Sequence, residues 1–136
     1  MKFGSKTSLE GSALVEFAII LPVIVLLVFG AIEAGWALYI QSAISDAARQ
    51  GARVAVTENV GTGTITTTVD NMIQADKIPD SQLVVDVNPS GVSLQPRGTP
   101  ITVTVSIPYS SASILPTPMF LGGITLQAQV TMSKEY

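Results

Sequence analysis

The chain has neither cysteine nor histidine among its 136 residues. Without Cys there is no disulfide framework and no thiolate metal site. Without His the usual acid–base group near neutral pH is missing. Charge is scarce too: 12% of residues are charged against 47% apolar, too few for an ordinary soluble surface, and residues 17–32 carry none. The net charge of −3 gives no basic footprint, so no nucleic-acid partner is expected. Asp70, Asp76, Asp80 and Asp86 are scattered; they lack the closely alternating oxygen ligands and Gly of a calcium loop and read as solvated carboxylates. Ser and Thr are abundant but have no His partner and no nucleophile elbow. "GTGT" has no Lys and no strand leading into it, so it is not a phosphate loop. No enzyme, cofactor or metal site is expected.

What is present is one long apolar run, "GSALVEFAIILPVIVLLVFGAIEAG", residues 11–35. Crossing a bilayer takes about 20 mostly apolar residues, and residues 17–40 meet this if Glu33 is tolerated. The run is longer than the roughly 7–15-residue apolar core of a cleaved signal, and it continues as helix. Ile40, Ala43, Ile44, Ala47, Ala48, Gly51, Ala52 and Ala55 recur at three- and four-residue intervals, one side of a helix. Asp46 lies three before Arg49, and Arg49 four before Arg53, within side-chain reach. A single helix over residues 13–56 would be about 65 Å long, half in lipid and half beyond it. Pro22 should bend it, and Gly30, Gly35 and Gly51 each cost it about 1 kcal/mol relative to Ala. Gly and Pro are common in membrane helices. Their spacing adds something: Gly30 with Ala34, Ala31 with Gly35, Ala43 with Ala47 and Gly51 with Ala55 form small-xxx-small pairs, faces on which helix backbones approach closely.

Past Val56 the composition changes. "TENVGTGT" reads as a linker. "ITTTVDNMIQADKI" places Ile65, Val69, Met72, Ile73 and Ile78 near one helical face, with Thr64 as candidate N-cap; its many Thr residues weaken the helix. "SQLVVDV" reads as a strand and "NPSG" as a turn. In "ITVTVSI", Ile101, Val103, Val105 and Ile107 face inward and Thr102, Thr104 and Ser106 outward. "ITLQAQVTM" does the same with Ile124, Leu126, Ala128, Val130 and Met132 inward. "PYSSASILPTPMFLGG" between them is too Pro-rich for either element. The fold class is therefore α+β: a long N-terminal helix, transmembrane and continuing outside the membrane, packed on a small antiparallel sheet of about three strands with one short extra helix. Such a sheet is marginal alone, and residues 40–56 of the long helix are the available cover.

Glu16 is the oddity, since a carboxylate in a bilayer costs about 2.5–3.5 kcal/mol even on lenient scales. It is the fifth residue after Gly11, with an apolar helix following directly. This resembles the processing site of type IV pilin precursors, which are cut after Gly to leave Glu at the fifth position. Gly11, Glu16–Phe17, Pro22, Phe29–Gly30, Glu33, Gly35 and Ala48–Arg49–Gln50–Gly51–Ala52–Arg53 together resemble the TadE-like family of the tight-adherence (Tad) pilus system, over residues 11–55. Trp36 departs from the pattern, standing where a basic residue is often found. The resemblance implies a cytoplasmic leader (1–11), a long helix (12–56) with a transmembrane half (about 17–40), and a small extracytoplasmic α+β domain (57–136). It implies processing between Gly11 and Ser12 and assembly through Glu16 and Phe17, while the small-xxx-small spacing assigns helix packing to Gly30, Ala34, Gly35 and Gly51. Glu16 would pair with the N-terminal amine of a neighbouring subunit, and Glu33 would pair with another subunit or reach headgroups. The implied role is a structural subunit, a minor pilin or pseudopilin in the cytoplasmic (inner) membrane. It would be single-pass, with its C-terminal domain outside the cytoplasm, and could pass into an extracellular pilus. Its implied partners are a prepilin peptidase, other pilin or pseudopilin subunits, the inner-membrane pilus assembly platform and membrane lipid. The alternative is a stationary single-pass anchor carrying an extracytoplasmic binding module. Positive-inside counting is nearly a tie; the cytoplasmic N-terminus follows from the resemblance.

Overall fold

A computed structural model describes residues 7–57, 60–79 and 82–135. In chain order the elements are α1 (Thr7–Thr57), α2 (Thr62–Ala75), β1 (Val84–Asn88), a 3-10 turn (Val92–Leu94), β2 (Pro100–Pro108), a one-turn α3 (Tyr109–Ala112) and β3 (Thr125–Ser133). The chain is α+β, with a long apolar N-terminal helix packed on a three-stranded antiparallel sheet, as its sequence predicts. Residues 1–6 of the expected leader, Glu58 and Asn59 of the linker, and Asp80 and Ser81 before β1 lie outside the described residues.

The chain divides into two units at the bond between Ile32 and Glu33. In the first, α1 begins at Thr7, before the expected residue 13, because nothing ahead of Ala13 breaks a helix beyond the modest cost of Gly11. Pro22 lies inside α1 and does not end it. Every side chain described from 11 to 29 is exposed, and α1 is long and apolar enough to cross a membrane.

The second unit, Glu33–Tyr136, holds the core. The strand order is β1-β2-β3, and both pairings are antiparallel. Ile101, Val103, Val105 and Ile107 of β2 are fully buried, while the alternate Thr102, Thr104 and Ser106 are half-buried. On the outer face the Thr102 and Thr131 hydroxyls bond at 2.9 Å. The inner face packs with Ile40, Ala43, Ile44, Ala47, Ala48, Ala52 and Ala55 of α1 and Ile65, Val69 and Ile73 of α2. Among the inward residues expected of β3, Ala128 is buried and Leu126, Val130 and Met132 are half-buried, but Ile124 is exposed. Ile124 precedes the strand and is held in a turn, its N–H donating to Leu121 and its carbonyl accepting from Tyr109.

Helix α2 starts one turn earlier than expected. Its N-cap is Gly61, in extended backbone, with no side-chain cap; Thr64 lies inside the helix. The Thr hydroxyls turn inward on the backbone instead: Thr66, Thr67 and Thr68 donate to the carbonyls of Thr62, Gly63 and Thr64, which settles these β-branched residues in a helix they would otherwise weaken. At the other end Lys77 takes a left-handed φ of 55°. The Ile78 N–H bonds to the Ile73 carbonyl and the Lys77 N–H to that of Gln74, a Schellman motif whose apolar contact is the buried pair Ile73–Ile78. Ile78 is thus buried by the cap that ends the helix, not by continuing its face.

Two predictions follow from this packing. Val105→Asp places an unpaired charge against α1 and should abolish the thermal transition of the folded unit. Thr104→Lys, opposite Asp86 across the strand pair, should change stability by less than about 0.5 kcal/mol. Similar melting curves for the two variants would mean a different strand register. The second concerns Gly51, where an added Cβ would come within 2.8 Å of a Val69 methyl that a helical Val cannot easily turn aside. Gly51→Ala should lower stability by about 1–2 kcal/mol. At Gly35, where an added Cβ meets nothing within 4 Å, the same change should raise it by up to about 1 kcal/mol. Thermal melts of both variants check the contrast.

Candidate functional site

Glu33 is the first residue of the folded unit, and it is 1% exposed. Its carboxylate meets the Pro- and Gly-rich segment between α3 and β3. The Met119 N–H donates to Oε1, while the N–H groups of Phe120 and Leu121 donate to Oε2 at 2.9 and 3.2 Å. Three consecutive backbone donors therefore close on one acidic side chain, each bond strengthened by its charge. The backbone carbonyl of Glu33 accepts from the buried Tyr109 hydroxyl at 3.2 Å. The intramolecular N–H groups of this loop are what hold Glu33, in place of the neighbouring subunit or headgroups expected from sequence. The signal was available: a segment with no regular structure must satisfy its N–H groups somewhere, and a carboxylate on an apolar helix lacks donors.

One turn further, the Trp36 indole N–H donates to the carbonyl of Ala112, the last residue of α3, at 2.7 Å. Its ring stacks on Tyr39 with centroids 5.1 Å apart, and the Tyr39 hydroxyl donates to the Asp76 carbonyl beyond α2. Gln41 donates to the Gln127 carbonyl of β3 at 2.9 Å. Residues 33–41 of α1 are thus bonded to the loop before β3, to α3, to the residue after α2 and to β3. Trp36, where a basic residue was expected, serves as a packed donor. A second buried charge, Lys134, donates its ammonium to the Val92 and Gln95 carbonyls at 2.6 and 2.9 Å, closing the 3-10 turn. Among the described residues no buried side-chain nitrogen or oxygen lacks a partner, and no group of three or more acidic residues could hold a metal. The arrangement positions a loop.

The other residues singled out in the sequence are spread along α1. Gly11 is exposed, with open space where a Cβ would stand. Ser12 is exposed and its hydroxyl donates to Glu16 at 3.5 Å, one turn on; Phe17 is exposed. Gly30 is half-buried, and Ala34 and Gly35 are exposed. Gly51 is the one of the set in the core, between Val69 and Ile65 of α2 and Val103 of β2.

The molecule is an α+β domain carried on the rear half of a helix whose front half has the length and composition of a membrane span. Residues 11–53 match the family model of the TadE-like proteins, the family that the motif from Gly11 to Arg53 indicates. The matched stretch lies wholly within α1, so α2 and the sheet fall outside it. No curated protein and no solved structure matches the chain.

Removing the Glu33 carboxylate should free the loop. Glu33→Ala leaves three N–H donors without their acceptor, at about 1.5–3 kcal/mol for each charged bond lost. Amide exchange at Met119, Phe120 and Leu121 should accelerate more than at the β2–β3 ladder. Glu33→Gln, which keeps one acceptor oxygen, should fall between. Unchanged protection of these three amides in the Ala variant would show that the loop is held by something else.

Proposed function

We propose that this chain is a structural subunit of a Tad-type pilus, a minor pilin or pseudopilin. It would be made as a precursor, trimmed between Gly11 and Ser12 by a prepilin peptidase, and passed by the assembly platform into a filament with other subunits. The observation that carries this reading is the TadE-like match over residues 11–53; in the sequence Glu16 stands fifth after Gly11, the first matched residue. Residues 12–32 rise about 31 Å as helix, close to the ~30 Å hydrocarbon core, and the next residue, Glu33, is buried in the folded unit. On this reading the lipid-crossing stretch is 12–32, shorter than the 17–40 expected from hydrophobicity, and the domain lies outside the cytoplasm. The exposed small residues Ala34 and Gly35 are free to meet a neighbouring helix. Glu16, which accepts from the Ser12 hydroxyl, would pair with the amine that cleavage creates on an adjacent subunit, since a carboxylate at the membrane edge is less costly when paired.

The test has two parts. Intact-mass analysis of the mature protein should show loss of residues 1–11, and Gly11→Val should block that trimming. Retention of residues 1–11 in the mature parent protein would favour a stationary membrane anchor. Glu16→Gln should leave insertion and trimming intact but lower the processed subunit recovered in sheared filaments, with Glu16→Asp in between. If the Gln variant assembles as well as the parent, the pairing role of Glu16 is wrong.

A further inference from the structure

The loop held by Glu33 presents apolar side chains to its surroundings. Ile114, Met119 and Phe120 are 58%, 55% and 56% exposed. No charged residue occurs between Arg97 and Lys134, so no charge in the loop opposes its entry into apolar surroundings. The backbone N–H groups of Met119 and Phe120 are turned to Glu33, and their side chains are left outside. Glu33 is covalently next to Ile32, the end of the lipid-length apolar stretch. Whatever bonds its carboxylate sits within a side chain's reach of the point where the chain leaves the membrane. Trp36, bonded to the residue that ends α3, and Tyr39, stacked on it, have the ring-plus-polar-edge character that settles at headgroup level.

We propose that the loop 113–124 is a membrane-docking element. Met119 and Phe120 insert at the boundary of headgroups and acyl chains, in the leaflet from which α1 emerges, and Ile114 lies against it. This rests on the reading of residues 12–32 as a membrane span. Lipid fits the loop better than a second copy of the chain does, because Glu33, whose carboxylate holds the loop, directly follows Ile32, the last residue of the proposed span. A few side chains on one loop also fall well short of the roughly 800 Å² per partner of a stable protein interface. With apolar side chains in the interface, the domain is held against the bilayer while the subunit waits there.

The absence of Cys makes the test direct on the full chain. Phe120→Cys, Leu94→Cys and Ile24→Cys would each be labelled with an environment-sensitive fluorophore. Each variant would be reconstituted at low protein density into phosphatidylcholine–phosphatidylglycerol liposomes. Leu94 is the control for exposure, being 86% exposed on the 3-10 turn; Ile24 reports on the span. The label at 120 should shift to the blue. It should be quenched by lipids bearing a nitroxide near the headgroup end of the acyl chain and lose its quenching by aqueous iodide. The label at 94 should do neither, and the label at 24 should be quenched by a nitroxide near the chain terminus. If 24 lies in lipid while 120 behaves like 94, the docking proposal is overturned and the span stands. If 24 is not in lipid, both fall. A blue shift at 120 that grows with protein density and is indifferent to nitroxide lipid would assign the loop to a second subunit, which also overturns the proposal.

Discussion

Everything outside the apolar stretch depends on how closely α1 can approach its neighbours. A three-stranded sheet with one apolar face is not stable in water until that face is covered. The cover is a helix face built from Ala43, Ala47, Ala48, Gly51, Ala52 and Ala55, flanked by Ile40 and Ile44. Small residues bring the backbone of α1 down onto the β2 valines and the α2 isoleucines, and at Gly51 a Cβ would run into Val69, Ile65 and Val103. The same residue type that suits helix contacts in lipid serves here as a core surface in the folded unit.

Glu33 stands at the other end of that contact. A buried carboxylate is destabilising unless hydrogen-bonded, and three N–H groups of one loop meet that need. The Tyr109 hydroxyl and the Trp36 indole fasten the helical turn that precedes the loop. Charge, aromatic donors and a Pro-rich segment therefore form one polar joint at the first turns of the folded unit, just where the apolar sequence ends. The loop gains a fixed backbone from it while its apolar side chains stay outside, an arrangement that a purely hydrophobic anchor would not produce.

The strands and the long helix were legible because their periodicities are clean. Ile101, Val103, Val105 and Ile107 alternate strictly, and the Ala and Ile residues of α1 repeat at helical spacing. The motif from Gly11 to Arg53 was legible as residue types at fixed positions. What escaped were features decided by partners distant in sequence. Glu33 and its donors are separated by more than eighty positions, and nothing local to either declares the other. Trp36 reads as a departure from a pattern until Ala112 is brought beside it. The start of α2 was misplaced because Thr64 resembles a cap, whereas the hydroxyls of this Thr-rich helix bond to their own preceding turns. Ile124 follows the alternation of β3 but lies ahead of the strand, where the turn from Leu121 leaves it uncovered.

The backbone N–H of Glu135 donates to the Val56 carbonyl at 3.0 Å, beside the end of α1. The chain leaves its long helix and, after α2 and the whole sheet, comes back to the place it left. The intervening region is a closed excursion whose two ends are hydrogen-bonded neighbours. Any other domain on this helix would have to cover the small-residue face of α1 and also supply the three N–H donors that the buried Glu33 carboxylate takes from its loop.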